Sequence, residues 1–541
     1  MTTDMVTDMA PDGAARRAIA VGRTALGIEL GSTRIKAVLI GEDHEPLAVG
    51  SHGWENQFVD RRWTYSLESV WAGLADCYAS LAADVRQRHG VELSTVGALG
   101  VSAMMHGYLA FDADGQLLAP FRTWRNTNTG PAVERLSPLF GHNIPHRWSI
   151  AHLYQAILDD EDHVGRIAHL TTLAGYVHWQ LTGERVLGIG DASGMFPIDI
   201  TTGGYDATML DKFDDLTAGH GFTVGLTDLL PTIRRAGDPA GTLTDAGARL
   251  LDPSGTLQSG APLCPPEGDA GTGMVATNSV APRTGNVSAG TSIFAMVVLE
   301  GELTAVHHEL DLVTTPAGDL VAMAHCNNGA SELDAWAGLF AEFAAAAGTP
   351  IDTSTVFRTL FRSALDGAAD GGGLMAFNYL SGEPVTGLDE GRPLFLRSPD
   401  STFDLATFMR TQLYAALATL RIGMDVLTKD EGVRLDTMFA HGGLFATKGV
   451  AQRFLAAAID TPVSVGATAS EGGPWGMALL AAYLTRHAPE QSLADYLATQ
   501  VFAGAELDEI KPDPADVAGF DAFTKRYLEA LPVQRAAVAH S

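Results

Sequence analysis

Two glycine-plus-hydroxyl turns lie about 260 positions apart in the chain: GSTR at Gly31–Arg34, and GTS at Gly290–Ser292. Each sits between two apolar stretches, in LGIELGSTRIKAVLI (Leu26 to Ile40) and TGNVSAGTSIFAMVVLE (Thr284 to Glu300). A strand, such a turn and a second strand present backbone N–H groups and hydroxyls to an anion. Repetition at matching places predicts two related halves, and the ligand that suits a pair of such turns is a nucleoside triphosphate. Gly31, Ser32, Thr33, Gly290, Thr291 and Ser292 are therefore candidate phosphate contacts, although Gly, Ser and Thr also serve ordinary turns. Lys36, in the second strand of the first hairpin, is a candidate cation for the phosphates or a solvated strand lysine.

The carboxylates come next. Asp269 follows a short apolar run in PLCPPEGDAGTGMVA and is flanked by Gly268 and Gly271, which allow close approach of substrate and backbone. Phosphoryl transfer to a hydroxyl needs a carboxylate to accept the proton. An aspartate here can equally cap the helix expected over GTGMVA. Glu267, two residues earlier, is the rival carboxylate.

These residues need a large scaffold. At 541 residues the chain predicts two domains, and 46% hydrophobic with 18% charged residues excludes global disorder. A net charge of −29 argues against broad binding to nucleic acid or anionic membrane, so positive potential at a phosphate site must be local. Cys77, Cys264 and Cys326 lie far apart, in no CxxC or zinc spacing, which reads as a reduced, cytoplasmic compartment. The first 23 residues read as a loose tail, neither signal peptide nor membrane span.

Tyr65 to Gly90 has helical spacing with Ser66 as N-cap, and VGALGVSAMM (Val96 to Met105) reads as a strand whose carboxyl end carries HGY, where α/β sheets place ligands. LAGYVHWQLTGE reads as a helix with Tyr176 and Trp179 in the core. Further helices are expected in FDLATFMRTQLYAALATLRIGMDVLT and VAQRFLAAAID, separated by the turn AHGGLFATKG. The histidines from His142 to His178 show no metal spacing.

From Leu26 to Tyr483 the ordered motifs resemble the FGGY carbohydrate kinases: IELGSTRIK, SAMMHG, PFRTWRN, EGDAGTG, SAGTS, YLSGE (Tyr379 to Glu383), HGGLFATKG and ASEGGPWGMALLAA. The resemblance implies a two-domain α/β fold, the actin-like ATPase (ribonuclease H-like) fold with its active site in the interdomain cleft. It implies a tail over 1–23, an N-terminal domain over 24–278 that binds sugar, and a C-terminal domain over 279–530 that binds nucleotide. Pentulose kinases such as the xylulose and ribulose kinases are the nearest in motif. By that resemblance Asp269 is the catalytic base; Met105 and His106 contact the sugar; Trp124, with Arg125 and Asn126 beside it, walls its pocket. Gly442, Gly443 and Leu444 lie along adenine and ribose, and Glu29 holds hydrated Mg²⁺.

The implied reaction is transfer of the γ-phosphate of ATP to a hydroxyl of a ketose, a pentulose first, or of a polyol. The implied partners are the sugar and ATP, with a homodimer as the candidate assembly and no nucleic acid or membrane. The chain departs from the family pattern at Glu29, where Asp is usual, at His152, where a lysine is expected, and at EGDAG in place of GGGDN. A nucleotide-driven switch and a sugar-binding pseudokinase on the same scaffold are the competing readings.

Overall fold

The computed structural model describes residues 11–220, 224–466 and 472–540, and they fall into two compact units. The first comprises residues 1–280 with 313–320 and 471–504; the second comprises 281–312, 321–470 and 505–541. The division is not a single cut in the sequence, since a late segment, most of it the helix Gly472–Arg486, returns to the first unit. The start of the ASEGGPWGMALLAA motif, residues 469–471, lies outside the described residues, as do residues 1–10 of the expected tail. The rest of that tail is not loose: Pro11–Ala20 is a helix, and Ile19 joins the core at 1% exposure. Its apolar residues are few, but Ala18 and Ile19 fall together on one face and are buried there.

In the first unit a five-stranded sheet runs in the order Glu267–Gly268, Ala98–Ala103, Ala25–Leu30, Arg34–Ile40, Pro46–Gly53. Ala25–Leu30 pairs antiparallel with Arg34–Ile40 and parallel with Ala98–Ala103. The helix Leu67–His89 packs on Pro46–Gly53; Ser66 caps it by accepting from the Ser69 N–H at 3.1 Å, and Gly90 ends it at φ 66°. Gly472–Arg486 packs against Ala25–Leu30 so closely that a Cβ on Gly27 would lie 2.1 Å from the Pro474 carbonyl oxygen. Tyr176 on the helix Leu173–Thr182 is buried, while Trp179 is partly buried against the same core.

The second unit's seven-stranded sheet runs Leu310–Thr314, Leu320–Cys326, Ile293–Val298, Thr284–Ala289, Thr437–His441, Val463–Gly466, Leu507–Ile510. Its central hairpin repeats the arrangement of the first unit: Thr284–Ala289 pairs antiparallel with Ile293–Val298 and parallel with Thr437–His441. The long helix Leu405–Asp425, capped by Asp404, is buried along nearly its whole length, which accounts for its apolar residues on every side.

All three cysteines are free and buried. Among the described residues no helix is long and apolar enough to cross a membrane.

Candidate active site

In the first unit the strand ends converge. Asp269 opens the helix Asp269–Ala276, immediately after the short edge strand, and its Oδ1 accepts from the Met105 N–H at 3.1 Å and its neighbour Ala270 N–H at 2.9 Å. Gly268, not Asp269, is the N-cap residue, so the side chain is not spent on capping the helix. Oδ2 takes part in neither hydrogen bond. Burial raises the carboxyl's pKa, and the two backbone donors oppose the rise.

Met105 and His106 sit beyond the carboxyl end of Ala98–Ala103, both buried. His106 has φ 69° and Gly107 φ 109°, a left-handed step that non-glycine residues adopt at a cost. It is held there by its ring, which stacks on Trp148 at 6.3 Å and whose Nδ1 lies 3.2 Å from the Gly194 carbonyl. Space for both side chains exists because residue 194 is glycine: a Cβ there would lie 2.6 Å from His106 Nδ1 and 2.8 Å from Met105 Cε.

Glu29 lies on Ala25–Leu30 directly opposite Lys36. Burial raises its pKa to about 7, the Asp269 charge adds to the rise, and Lys36 opposes it. Lys36 is thus half-buried and engaged with Glu29 electrostatically, not a solvated strand lysine. The Glu29 carboxylate also takes the space beside Gly473, where a Cβ would lie 2.2 Å from Oε1.

The Gly31–Arg34 turn is closed by the Gly31 N–H donating to the Arg34 carbonyl at 3.0 Å and is fixed by aromatics. Trp54 donates to the Gly31 carbonyl at 2.7 Å, Tyr65 to the Ser32 carbonyl at 2.6 Å, and Trp124 to the Ser32 hydroxyl at 3.2 Å. Trp124 therefore touches the phosphate-turn candidate itself. Arg125 lies over the rings of Trp63 and Trp124, at 5.1 and 5.5 Å, and Asn126 is pinned by its amide to the backbone of Trp63.

Two further buried carboxyls, Glu267 and Asp191, lie next to each other in the first unit. Glu267, the rival carboxylate, is 1% exposed and accepts from the N–H groups of Gly190 and Asp191, one on each carboxyl oxygen. Asp191 was not singled out from the sequence; burial lifts its pKa to about 7 despite a hydrogen bond from Thr172 at 2.6 Å, and the Asp269 charge contributes. Its signal was the GIGDASG stretch, an aspartate among glycines like Asp269 itself. His152, at the position where the resemblance expected lysine, is buried, and burial followed by Arg122 lowers its pKa to about 3, so it is neutral.

In the second unit Gly290, Thr291, Gly443 and Leu444 line one cavity of about 630 Å³. Ser292 and Gly442 are not in the lining but contact the strand-turn segment that contributes Gly290. Gly290 donates to the Ser292 carbonyl at 2.9 Å, and Gly442, at φ 107°, passes so near Ala289 that a Cβ would lie 2.2 Å from its carbonyl oxygen. Two helices that the sequence did not place at the site add Leu333 and Asp334 from Ser331–Ala346, and Phe357, Arg358, Phe361 and Arg362 from Thr353–Ser363. Residues 357, 358, 361 and 362 follow helical i, i+4 spacing and so share a face. Lys448 also lines the cavity and pairs with Asp508 at 3.0 Å.

Among the described residues no group of three or more His, Cys, Asp or Glu is placed to hold a metal ion. A hydrated Mg²⁺ takes one or two carboxylates and completes its shell with water and phosphate oxygens, and the buried Glu29 carboxyl, whose pKa the Asp269 charge helps to raise, fits that way of holding the ion.

Models of the FGGY family of carbohydrate kinases match the chain in both parts, the N-terminal domain over residues 24–254 and the C-terminal domain over 285–485. The chain belongs to this family. Relatives include an L-fuculokinase of Salmonella typhi, 26% identical over 45% of this chain and 50% of its own length, and a xylulose kinase of Escherichia coli, 23% identical over 52% and 56%. The chain thus spans about half the length of the curated relatives it matches. Among solved structures, a xylulose kinase of Lactobacillus acidophilus superposes with TM-score 0.76 at 16% identity, covering 96% of this chain and 99% of that one. The xylulose kinase of Rhodospirillum rubrum gives 0.75 at 20% identity, covering 94% and 98%. At such identities the likeness establishes the fold, a two-domain α/β fold of the actin-like ATPase kind.

Proposed function

We propose that this chain is an ATP-dependent sugar kinase that phosphorylates a hydroxyl of a ketose, a pentulose first, or of a polyol, with Asp269 as general base. The observation that carries the reading is the carboxyl of Asp269. Its Oδ1 is anchored by backbone N–H groups while Oδ2 is in neither bond, and burial makes it a better proton acceptor than an ordinary aspartate. The acceptor sugar would lie against Met105 and His106, near Trp124 and Arg125. An imidazole fixed by Gly194 and Trp148 suits recognition of a sugar hydroxyl better than a mobile side chain would.

The nucleotide would lie in the cavity of the second unit, with Gly290, Thr291 and Ser292 at its phosphates and Gly442, Gly443 and Leu444 along adenine and ribose. Phe357 and Phe361 add apolar wall to that cavity. Gly31, Ser32 and Thr33 are the matching phosphate turn of the first unit, with Lys36 supplying local positive charge. Mg²⁺, held by Glu29 through its water shell, would neutralise charge on the phosphates. Asp269 takes the acceptor's proton as the hydroxyl oxygen attacks the γ-phosphorus, and ADP leaves. We also propose that the protein functions as a homodimer.

The test is an ATP-consumption screen with purified protein, Mg²⁺ and a panel of ketoses, aldoses and polyols, with mass spectrometry of the products. A single sugar converted to its phosphate ester names the substrate. ATP loss without an ester, or nucleotide binding without turnover, transfers the reading to a switch protein or a pseudokinase.

A further inference from the structure

The YLSGE motif contributes no residue to the cavity lining, yet it ends in one of the most deeply buried carboxyls of the second unit. Glu383 is 0% exposed. Its Oε1 accepts from the Asn327 N–H at 3.4 Å, and its Oε2 from the Asn328 N–H at 3.2 Å and the Asn328 side-chain amide at 3.0 Å. Asn328 returns the hold: its Oδ1 accepts from the N–H groups of Leu380 and Ser381, at 2.9 and 3.0 Å. Asn378 closes the ring by donating its amide to the carbonyls of Asn328 and Gly329, both at 2.9 Å. A buried carboxyl so enclosed costs desolvation unless each acceptor is used, and this one is surrounded by donors.

The next two residues of the same loop reach the Gly290–Ser292 turn. Gly329 donates its N–H to the Thr291 carbonyl at 2.8 Å, and Ala330 donates to the Gly290 carbonyl at 2.9 Å. Residue 329 must be glycine for this approach, since a Cβ would lie 2.5 Å from the Gly290 oxygen and 2.9 Å from the Thr291 oxygen. The consequence follows from peptide planarity. The carbonyl of residue 290 and the N–H of residue 291 share one plane and point in opposite directions, as do the carbonyl of 291 and the N–H of 292. Tying both carbonyls to the 329–330 loop therefore aims the Thr291 and Ser292 N–H groups the other way, and neither has a partner among the described residues.

We propose that Glu383 is a positioning residue for the phosphate donor: through Asn328 and the Gly329–Ala330 amides it sets the direction in which the 290–292 turn presents its N–H groups to the polyphosphate chain. This rests on the reading of that turn as a phosphate cradle. It predicts a selective effect. Loss of the carboxyl should weaken recognition of phosphates and leave recognition of the nucleoside alone.

The experiment measures binding of two probes, inorganic tripolyphosphate and adenosine, by calorimetry to the full chain and to Glu383→Gln and Gly329→Ala. The glutamine keeps the shape but turns an NH₂ toward donors; the alanine strikes the same latch from its other end. Each variant should lose about tenfold or more in tripolyphosphate affinity, the scale of a hydrogen bond to a charged group, and hold adenosine within about twofold. KM for ATP should rise accordingly, with KM for the sugar unmoved. Equal loss for both probes, or no loss for either in a folded variant, overturns the positioning role and leaves the donor site standing. A wild-type chain that binds neither probe overturns both.

Discussion

The carboxyl of Glu267 occupies the space that a β-carbon on Gly188 would need: an ideal Cβ there would lie 2.1 Å from Oε1, and one on Gly190 would lie 2.4 Å from Oε2. Two glycines thus make room for one buried acid, whose pKa is raised well above the ordinary value by burial and then by the charge of Asp191.

Gly188→Ala should therefore destabilise the first unit by about 1–3 kcal/mol, the usual cost of overpacking. Glu267→Ala costs stability too, because it strips the Gly190 and Asp191 N–H groups of their acceptor. In the double variant the alanine methyl enters vacated space, so the two losses should sum to less than their separate values. Melting temperatures of the three variants check this, and strict additivity would remove the steric account.

Asp269→Asn should lower kcat by about 10²–10⁴-fold, the range for removal of a general base, with ATP affinity unchanged. The asparagine retains an oxygen for the Met105 and Ala270 donors, so the local fold survives. Near-normal turnover in this variant would take the base role away from Asp269.

Glu29 should make a measurable contribution to the pH dependence of stability. Between the ordinary glutamate value of 4.5 and about 7 the folded chain keeps a proton that the unfolded chain releases. The contribution is therefore fully present below pH 4.5 and is lost as pH rises toward 7, by about 3 kcal/mol. Glu29→Gln has no such loss. Its melting temperature relative to wild type should climb from pH 5 to pH 8 in metal-free buffer, and a difference that stays level or falls would sink the assignment.

Ala446→Trp should block the nucleotide cavity without harming the fold. Ala446 lines the cavity and is exposed, so the indole can lie in the cavity with little cost to packing. ATP affinity is expected to fall by about tenfold or more, a loss of about 1.4 kcal/mol or greater, with the melting temperature held within a few degrees. Unchanged affinity in a calorimetric titration would move the nucleotide out of this cavity.

Much of this protein was legible in its sequence because the signals are local. Hairpin pairing follows from alternation and a turn, so both glycine-hydroxyl hairpins are where their residues predict. The Ser66 cap, the Leu67–His89 helix and the buried Leu405–Asp425 helix follow from spacing along a few turns. The order of the motifs sufficed for the family. Tertiary structure decided what depends on residues distant in sequence. Ile19 turned an expected tail into a packed helix, and Lys36 gained its role from the strand register that sets it opposite Glu29. Phe357 and Arg358 became cavity wall because their helix packs near a turn some 65 residues earlier, and Glu267 became a buried acid because glycines at 188 and 190 leave it space. Desolvation and close approach are properties of the three-dimensional surroundings. A chain of letters carries them only where both partners happen to be neighbours.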